Sequence, residues 1–447
     1  MPNYPYPRPW AEHGRLRVSD DGHSLWYHDG KPFFWLGCTP WMLVALPPED
    51  VTLFLADRAR KGFNVVQMVT TNWLRGDYLT RQPFFGEDGR PYKQVVLNEP
   101  YWDYVDWVVE RCALFGMHVA LVTSWGRAFH NPELLYFSEP EHNNYELGVQ
   151  LGRRYAACDH VLWIAAGEYS WTLAEVQSGA DDPLDTKRRN HLLRRVAEGL
   201  RSGSQGKQLI AFHPHSGLSS SRDWHDDSLI DFNMVQSFGH ENAYTTLVRQ
   251  DHALRPAKPV LNAEPAYEDR WRYMPDRGQI DDWWMRMEGY VSVFMGGCGY
   301  TYGHSTIYHF GAKPEEGTEW LKWLDAPGSR QMQHLRTLME SVDWASRVCD
   351  DTLVVTSEAS GCSEQDYIVS TRAVDFSWVM VYTSKGRGFR LNLAPLGKGA
   401  QAQWYDPRTG KTGQSFPVSD DCAEFAPPGE PVRGNDWVLI AHLPPRK

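Results

Sequence analysis

The stretch Val161-Leu-Trp-Ile-Ala-Ala-Gly-Glu168 decides the fold, because an unbroken run of apolar and small residues ends there on a carboxylate. Such a run is typical of a strand that is buried on both faces of a parallel sheet. Seven further runs share the pattern and also end near polar residues, at positions 33–37, 63–70, 117–124, 208–214, 232–238, 259–265 and 297–304. The sequence therefore predicts eight parallel strands.

Amphipathic helical stretches separate these runs. One stretch begins at Pro47-Pro48 and stops at Gly62, and residues 99–115, 184–200 and 280–295 show the same helical spacing. Eight strands that alternate with helices over about 330 residues predict a (β/α)8 TIM barrel.

The limits of the first domain follow from the sequence patterns on either side of the predicted barrel. Alternation around two Asp-Gly turns predicts a hairpin at residues 15–34, so the first domain spans residues 1–344. A doubly wound open sheet is the structural alternative. That fold normally carries a Gly-rich phosphate loop after its first strand, whereas Cys38-Thr39-Pro40-Trp41 stands there.

The pattern changes after about Trp344. Short alternating runs are broken by turn sequences such as Asp406-Pro-Arg-Thr-Gly410 and Pro427-Pro-Gly429. They predict an antiparallel β-sandwich over residues 345–447. Because no long flexible linker precedes it, we expect this domain to pack on the barrel.

Composition excludes several classes of partner. The 447 residues include 45 Lys and Arg against 56 Asp and Glu, a net charge of −11, which is a poor match for nucleic acid or an anionic membrane. Neither a membrane-spanning run nor an apolar leader in the first ten residues is present. The seven cysteines form no C-x-x-C pair and predict reduced thiols, hence a cytoplasmic protein.

Aromatic content is unusually high, with 20 Trp, 21 Tyr and 18 Phe. These rings suit either stacking on sugars or an aromatic-rich core, and composition alone leaves both interpretations open.

Two carboxylates fall at the ends of buried strands, where barrel enzymes carry their chemistry. They are Glu168 after the fourth run and Glu264 after the seventh. A buried carboxylate is costly unless it is paired or used, so a helix cap or an ion pair is the alternative role. Cleavage of a glycosidic bond needs two facing carboxylates, one as acid and one as nucleophile. Glu268, one helical turn beyond Glu264, competes for the nucleophile role.

Other polar and aromatic residues at the strand ends are candidates for binding a substrate. Those predicted are Trp41, Gln67, Trp125, His213, Gln236, His240, Tyr267, Glu268, Tyr302 and His304, with Asn72 also at a strand end. Stacking and core packing are equally compatible with the rings. Arg127 can pair with an acidic sugar or with Glu133 in its own loop, and the loop is slightly favoured.

A metal site is a further possibility, because His213 and His215 form an H-x-H pair. Metal-dependent barrel hydrolases need such a pair after the first strand, where this chain has none, so bonding to sugar hydroxyls is preferred. We expect neither a metal nor another cofactor.

Several motifs resemble those of the apiosidase-like glycoside hydrolases. They are Gly30-Lys-Pro-Phe-Phe-Trp-Leu-Gly-Cys-Thr-Pro-Trp41, Arg58-Ala-Arg-Lys-Gly-Phe-Asn-Val-Val-Gln67, the stretch ending at Glu168, Asn262-Ala-Glu-Pro-Ala-Tyr-Glu268 and Gly299-Tyr-Thr-Tyr-Gly-His304. The tail, with Trp404-Tyr-Asp-Pro-Arg-Thr-Gly410 and Asp436-Trp-Val-Leu-Ile440, resembles the collagen-binding-like β-domain that commonly follows them. The resemblance covers nearly the whole chain.

The resemblance implies a barrel with two acidic catalytic residues, retaining cleavage and an activity such as removal of apiose from complex pectin. By position, Glu168 takes the acid/base role and Glu264 the nucleophile role. The family usually has Asp where this chain has Glu168 and Cys38, so the sugar preference can differ.

The sequence thus predicts a retaining glycosidase that releases terminal sugars from a small plant-type oligosaccharide, such as an apiose or arabinofuranose glycoside. The alternatives are a barrel that binds carbohydrate without cleaving it and, less favoured, a metal-dependent hydrolase. Oligomeric state is left open.

Overall fold

The computed structural model describes residues 6–71, 83–85, 91–269, 280–310, 319–355, 365–418 and 420–443. Its α-helices are α1 (Pro9–His13), α2 (Pro48–Arg60), α3 (Glu99–Leu114), α4 (Arg127–His130), α5 (Pro140–Tyr155), α6 (Leu173–Ser178), α7 (Pro183–Gly203), α8 (Ser221–Trp224), α9 (Val248–Ala253), α10 (Asp282–Phe294) and α11 (Pro327–Glu340).

The strands of the first three hundred residues form two sheets. They are β1 (Leu16–Val18), β2 (Leu25–Tyr27), β3 (Pro32–Phe33), β4 (Trp35–Cys38), β5 (Val65–Val69), β6 (His118–Val122), β7 (Val161–Ile164), β8 (Ile210–Ala211), β9 (Leu218–Ser219), β10 (Asn233–Gln236), β11 (Val260–Asn262) and β12 (Gly299–Tyr302). Strands β1, β2 and β3 make the antiparallel hairpin that the Asp-Gly turns predict, with one strand added.

The central sheet contains one strand from each of the eight predicted runs. Its order is β8-β7-β6-β5-β4-β12-β11-β10, all parallel, with β9 antiparallel at the β10 edge. Strand β4, from the first predicted run, is the neighbour of β12, from the eighth, and Tyr302 pairs with Cys38. This order curls the sheet and differs from a doubly wound sheet, in which the order reverses at a switch point.

The two faces of β12 have different surroundings, and this difference positions the site. Trp35 on β4 donates its indole N–H to Thr301 Oγ1 at 3.0 Å, on the inner side of the curled sheet. Side chains alternate along a strand, so the neighbouring Tyr302 points outward. Its ring lies 5.9 Å from that of Phe63 and 5.7 Å from the guanidinium of Arg58 on α2.

The C-terminal strands form two antiparallel sheets, as predicted for a sandwich. They are β13 (Val348–Cys349), β14 (Val354–Val355), β15 (Ile368–Arg372), β16 (Trp378–Thr383), β17 (Phe389–Asn392), β18 (Gln401–Asp406), β19 (Lys411–Thr412), β20 (Phe416–Pro417), β21 (Cys422–Phe425) and β22 (Trp437–His442). One sheet runs β13-β15-β16-β22-β18-β19 with β20 on β18, and the other runs β14-β17-β21.

Strand β16 shows how the two halves of the chain share a core. Met380 and Tyr382 join the apolar cluster that fills the N-terminal part, whereas Val379 and Val381 join the cluster between the two C-terminal sheets. Alternation thus buries both faces of one strand, and the tail packs on the N-terminal part as expected.

A buried ion pair crosses this contact. Arg286 on α10 donates from Nε and Nη2 to the two carboxylate oxygens of Asp436, at 2.9 and 2.8 Å. Burial raises the pKa of Asp436, and the charge of Arg286 opposes that rise. Removing either partner would leave a buried charge uncompensated, so this pair fixes how the halves pack.

The cysteines and the possibility of a membrane span were also considered in the sequence analysis. The described cysteines, which exclude Cys362, form no disulfide with one another. Burial raises the pKa of the Cys38 thiol to about 12. Across the described ranges, none of the helices combines the length and apolar character that crossing a bilayer requires.

Candidate active site

Glu168 lies just beyond β7 in an unusual backbone conformation. Its φ is +44°, in the left-handed region that non-glycine residues rarely adopt, at a cost on the order of 1–3 kcal/mol. The neighbouring Gly167 leaves no room for a side chain, because a Cβ there would lie 2.3 Å from the ring of Trp125. The backbone N–H of Gly167 bonds Ser124 O at 3.0 Å. The loop after β6 therefore holds Glu168 in this strained, half-buried position.

Glu264 lies two residues beyond β11 and is only 5% exposed. Its Oε1 accepts the phenol O–H of Tyr267 at 2.5 Å, and its Oε2 accepts the amide N–H of Gln236 at 3.0 Å. Both carboxylate oxygens are thus held by side chains that the sequence places at strand ends.

Gln236 at the end of β10 joins the two carboxylates. Its Nε2 lies 3.0 Å from Oε2 of Glu264 and 3.4 Å from Oε1 of Glu168. One oxygen of each carboxylate therefore lies within hydrogen-bonding reach of the same amide nitrogen. The predicted pair therefore faces one point.

Trp41 is linked to Glu264 through Tyr267. Its indole N–H donates to the phenol oxygen of Tyr267 at 2.7 Å, and Tyr267 in turn donates to Glu264. The Trp41 ring meets the half-buried Trp125 edge to face at 5.6 Å. Gly303 makes space for Tyr267, since a Cβ there would lie 2.2 Å from the ring. These rings wall one side of the carboxylate pair.

His213, after β8, contacts the same carboxylate. Its Nε2 lies 3.3 Å from Oε2 of Glu264. Burial lowers its pKa to about 3, so the imidazole is neutral near pH 7 and adds no charge to the pair. In the described parts of the chain, no three His, Cys, Asp or Glu side chains are grouped as metal ligands would be.

Several buried polar atoms around the pair have no hydrogen-bond partner within the described residues. They are Oε1 of Gln67, Oε1 of Gln236, Oγ1 of Thr39 and Nδ1 of His213. Gln67 is fixed by its other end, because its Nε2 donates to Ala263 O at 2.7 Å. Buried polar atoms in folded proteins are nearly always bonded. A ligand rich in hydroxyl groups would supply the missing partners.

Three of the predicted binding residues lie elsewhere. Glu268 accepts the phenol O–H of Tyr302 at 2.5 Å and the backbone N–H of Gly328 at 2.9 Å, in the first turn of α11. His304 lies 5.0 Å, ring to ring, from Trp323. Glu268, Tyr302 and His304 therefore face the outer layer of helices and not the carboxylate pair.

The remaining predictions fall at the edge of the site or outside it. His240 is half-buried after β10, and its ring lies 3.2 Å from where a Cβ at Gly217 would stand. By its place just before Thr39, Cys38 was expected to border the site, but its thiol donates to Val65 O at 3.6 Å, on the outer side of the sheet. Asn72 lies outside the described residues.

Sequence reasoning overlooked Glu288, a fully buried carboxylate behind the site. It accepts a hydrogen bond from Ser237 and bonds from Asn262 at 3.3 Å, Trp284 at 3.1 Å and the backbone of Ala266 at 3.3 Å. It thereby ties β10 to the segment that carries Glu264. A charged residue among the buried residues of α10 was the available signal.

Two family models together match almost the whole chain. The family model "Apiosidase-like, catalytic domain" matches residues 19–346, and a model of a collagen-binding domain, named after a collagenase, matches residues 348–442. No curated protein matches the chain.

Two solved structures cover almost the whole chain. One, described as a glycoside hydrolase, has 25% identity and a TM-score of 0.82 over 99% of both chains. The other, a glycoside hydrolase family 5 protein from Bacteroides vulgatus, has 26% identity and a TM-score of 0.82 over 98% of this chain and 95% of its own. With its catalytic-domain match spanning most of its length, this chain belongs to the apiosidase-like family of glycoside hydrolases.

Proposed function

We propose that the chain is a retaining glycosidase in which Glu264 is the nucleophile and Glu168 the acid/base. The observation that carries this proposal is the single amide nitrogen of Gln236, which lies within hydrogen-bonding distance of both carboxylates. Two carboxylates that share one amide donor are held close to each other, which supports direct attack by one of them.

The surroundings of each carboxylate support its role. Glu264 is buried and held by two donors, as a nucleophile aimed at one carbon atom should be. Glu168 is half-buried, so it can reach a departing oxygen and later a water molecule. An acid/base must exchange its proton in every cycle, which a sealed group could not do.

The proposed reaction has two steps. Glu264 attacks the anomeric carbon while Glu168 gives its proton to the leaving oxygen, so one C–O bond forms as another breaks. Glu168, now ionised, then takes a proton from water, which attacks the same carbon and releases Glu264. The Gln236 amide orients both carboxylates throughout, and the neutral His213 with Gln67 binds sugar hydroxyls.

The proposal also covers the substrate class, the closure of the barrel and the boundary between the two domains. We propose that the enzyme removes a terminal sugar, with an apiofuranoside or arabinofuranoside as the substrate class. The N–H of Asp231, which donates to Ile210 O at 2.9 Å, supports closure of the eight-stranded sheet into a barrel between β8 and β10. We place the boundary with the sandwich at Trp344.

The test is a screen of aryl glycosides that includes apioside and arabinofuranoside, run on wild type, Glu264→Gln and Glu268→Gln. We expect turnover of at least one furanoside by wild type and Glu268→Gln only. Binding of a furanoside without any turnover by wild type would instead establish a non-catalytic carbohydrate-binding protein.

A further inference from the structure

Glu288 on α10 is a carboxylate that the proposed reaction does not use, although it is 0% exposed. Burial raises its pKa, and hydrogen bonds from uncharged groups oppose that rise. A buried carboxylate without a cationic partner is costly, and apolar residues of similar volume often fill such a position as well or better. The geometry around Glu288 shows what its oxygens hold in place.

One of these oxygens, Oε1, joins the ends of β10 and β11. It accepts the hydroxyl of Ser237 and the amide N–H of Asn262, the latter at 3.3 Å. Asn262 is held from a second point on α10, because its Nδ2 also donates to Ser292 Oγ at 3.1 Å. The residues that follow two neighbouring strands are thus fixed to one helix.

The other oxygen, Oε2, binds the segment that follows β11. It accepts the backbone N–H of Ala266 at 3.3 Å and the indole N–H of Trp284, one turn earlier on α10, at 3.1 Å. Ala266 and Asn262 each lie two residues from Glu264, on either side of it. One carboxylate therefore anchors both ends of the segment that carries the proposed nucleophile.

The two donors that hold the carboxylate of Glu264 are fixed in the same way. Gln236 donates to Glu264 at 3.0 Å and Tyr267 donates to it at 2.5 Å. Gln236 precedes Ser237 in the chain, and Tyr267 follows Ala266. Each donor is thus the direct neighbour of a group that is bonded to the carboxylate on α10.

The backbone after Ser237 is strained and needs such support. Phe238 has a φ of +46°, in the left-handed region, and its N–H donates to the backbone oxygen of Glu264 at 3.1 Å. Strained backbone keeps its conformation only where the surrounding contacts determine it. The bond from the Ser237 hydroxyl to Glu288 is one of those contacts.

We propose that Glu288 is a positioning residue, which sets the distance between Gln236 and Glu264 and thereby aims the nucleophile. The inference rests on the proposed function, because it assigns the fixed geometry to attack by Glu264. A displacement of a reacting group by about 1 Å can lower a rate by about a hundredfold. Groups that touch no substrate are therefore needed to hold those that do.

The experiment follows single turnovers of 4-nitrophenyl arabinofuranoside and 4-nitrophenyl apioside with the full-length protein in excess. The saturating rate then reports attack by Glu264, and the half-saturating concentration reports binding. Glu288→Met removes both acceptor oxygens at similar volume, so we expect a rate at least about tenfold lower with binding unchanged within about twofold. Glu288→Gln keeps one acceptor oxygen for Ala266 and Trp284 and should recover most of the rate.

The matched control is Asp251→Leu on α9. Asp251 is also a buried helix carboxylate, 3% exposed, and it accepts the hydroxyls of Ser219 and Ser221. Neither serine adjoins Glu264 or the two side chains that donate to it. Asp251→Leu should therefore lower the melting temperature, as Glu288→Met does, and leave the saturating rate near wild type.

Ser237→Ala is the variant that decides the question if Glu288→Met does not fold. It removes one hydroxyl only and should lower the saturating rate by about threefold to tenfold without a change in binding. A wild-type rate in Ser237→Ala would then overturn the proposal.

A wild-type rate in Glu288→Met, an equal loss of rate in Asp251→Leu, or a change confined to binding would also overturn the proposal. With an active wild type, each of these outcomes refutes only the positioning role of Glu288. A wild type that releases no nitrophenol from either glycoside would refute the glycosidase, and the positioning role with it.

Discussion

Two Glu–Tyr pairs, whose glutamates are four residues apart in the chain, face opposite sides of the same sheet. On the inside, Tyr267 donates to Glu264 at 2.5 Å, and on the outside, Tyr302 donates to Glu268 at 2.5 Å. The inner carboxylate shares Gln236 with Glu168 and is surrounded by polar atoms without partners among the described residues. The outer carboxylate accepts a backbone N–H at the start of α11.

A glutamate near the end of a strand is therefore not assigned a catalytic role by its residue type and position alone. The outer pair satisfies an otherwise free N–H of a helix end, which stabilises the fold. The inner pair lies beside buried polar atoms that have no hydrogen-bond partner among the described residues, as a ligand site would. The same substitution in the inner and the outer pair tests which of the two serves catalysis.

The largest expected effect comes from replacing each glutamate with its amide. Glu264→Gln removes the nucleophile and should lower kcat by a factor on the order of thousands, with an unchanged melting temperature. Glu268→Gln should keep kcat close to wild type. Steady-state kinetics and thermal melts on both variants check this, and an active Glu264→Gln beside an inactive Glu268→Gln would move the nucleophile to the outer pair.

Glu168→Ala should show a smaller loss that depends on the leaving group. On poor leaving groups the loss should reach about a hundredfold or more, because no acid protonates the departing oxygen. Aryl glycosides whose phenolate leaves unaided should still form the covalent intermediate, and added azide should release it. Equal losses on every substrate with no azide rescue would exclude the acid/base role.

The two phenols offer the next comparison. Tyr267→Phe removes a charge-assisted hydrogen bond from the nucleophile and should reduce kcat/KM by about tenfold to a hundredfold. Tyr302→Phe removes the corresponding bond on the outside, so it should lower the melting temperature and leave kcat/KM near wild type. Similar kinetic losses in both variants would contradict the separation of the two pairs.

The smallest effect is a pH dependence of stability from the outer pair. Burial raises the pKa of Glu268 above its ordinary value of 4.5. A raised folded-state pKa makes the contribution of Glu268 to the unfolding free energy largest below the unfolded pKa and removes it as pH rises through the folded one. Each tenfold difference between the acid dissociation constants of the folded and unfolded states corresponds to about 1.4 kcal/mol of unfolding free energy.

Denaturant unfolding of wild type and Glu268→Gln between about pH 4 and pH 8 measures this contribution, because the amide cannot titrate. The stability of wild type relative to the variant should be highest at acidic pH and decline toward neutral pH. A difference that grows with pH would show that Glu268 is stabilised in its charged form.

Sequence patterns predicted the parallel strands of the central sheet and the approximate limits of α2, α3, α7 and α10, because those depend on local physics. Continuous apolar runs are buried on both faces, and Pro47-Pro48 and Gly62 bracket α2 as they should. The same reasoning identified Glu168 and Glu264, since a carboxylate after an apolar strand has no local partner.

The outward residues could not be assigned in the same way. Whether Glu268 points in or out depends on Gly328, a backbone group sixty residues later that has no local signature near Glu268. Tyr302 and His304 end a strand as functional residues do, but Arg58 and Trp323 pack against them from the outer layer. Such roles follow from tertiary contacts.

The most direct test of the central claim is to trap the covalent intermediate. Glu168→Ala would be mixed with the dinitrophenyl glycoside of the sugar found in the screen, and the intact protein and its peptides would be analysed by mass spectrometry. We expect one glycosyl group attached to Glu264. Attachment to Glu268, or release of product with inverted configuration and no adduct, would contradict it.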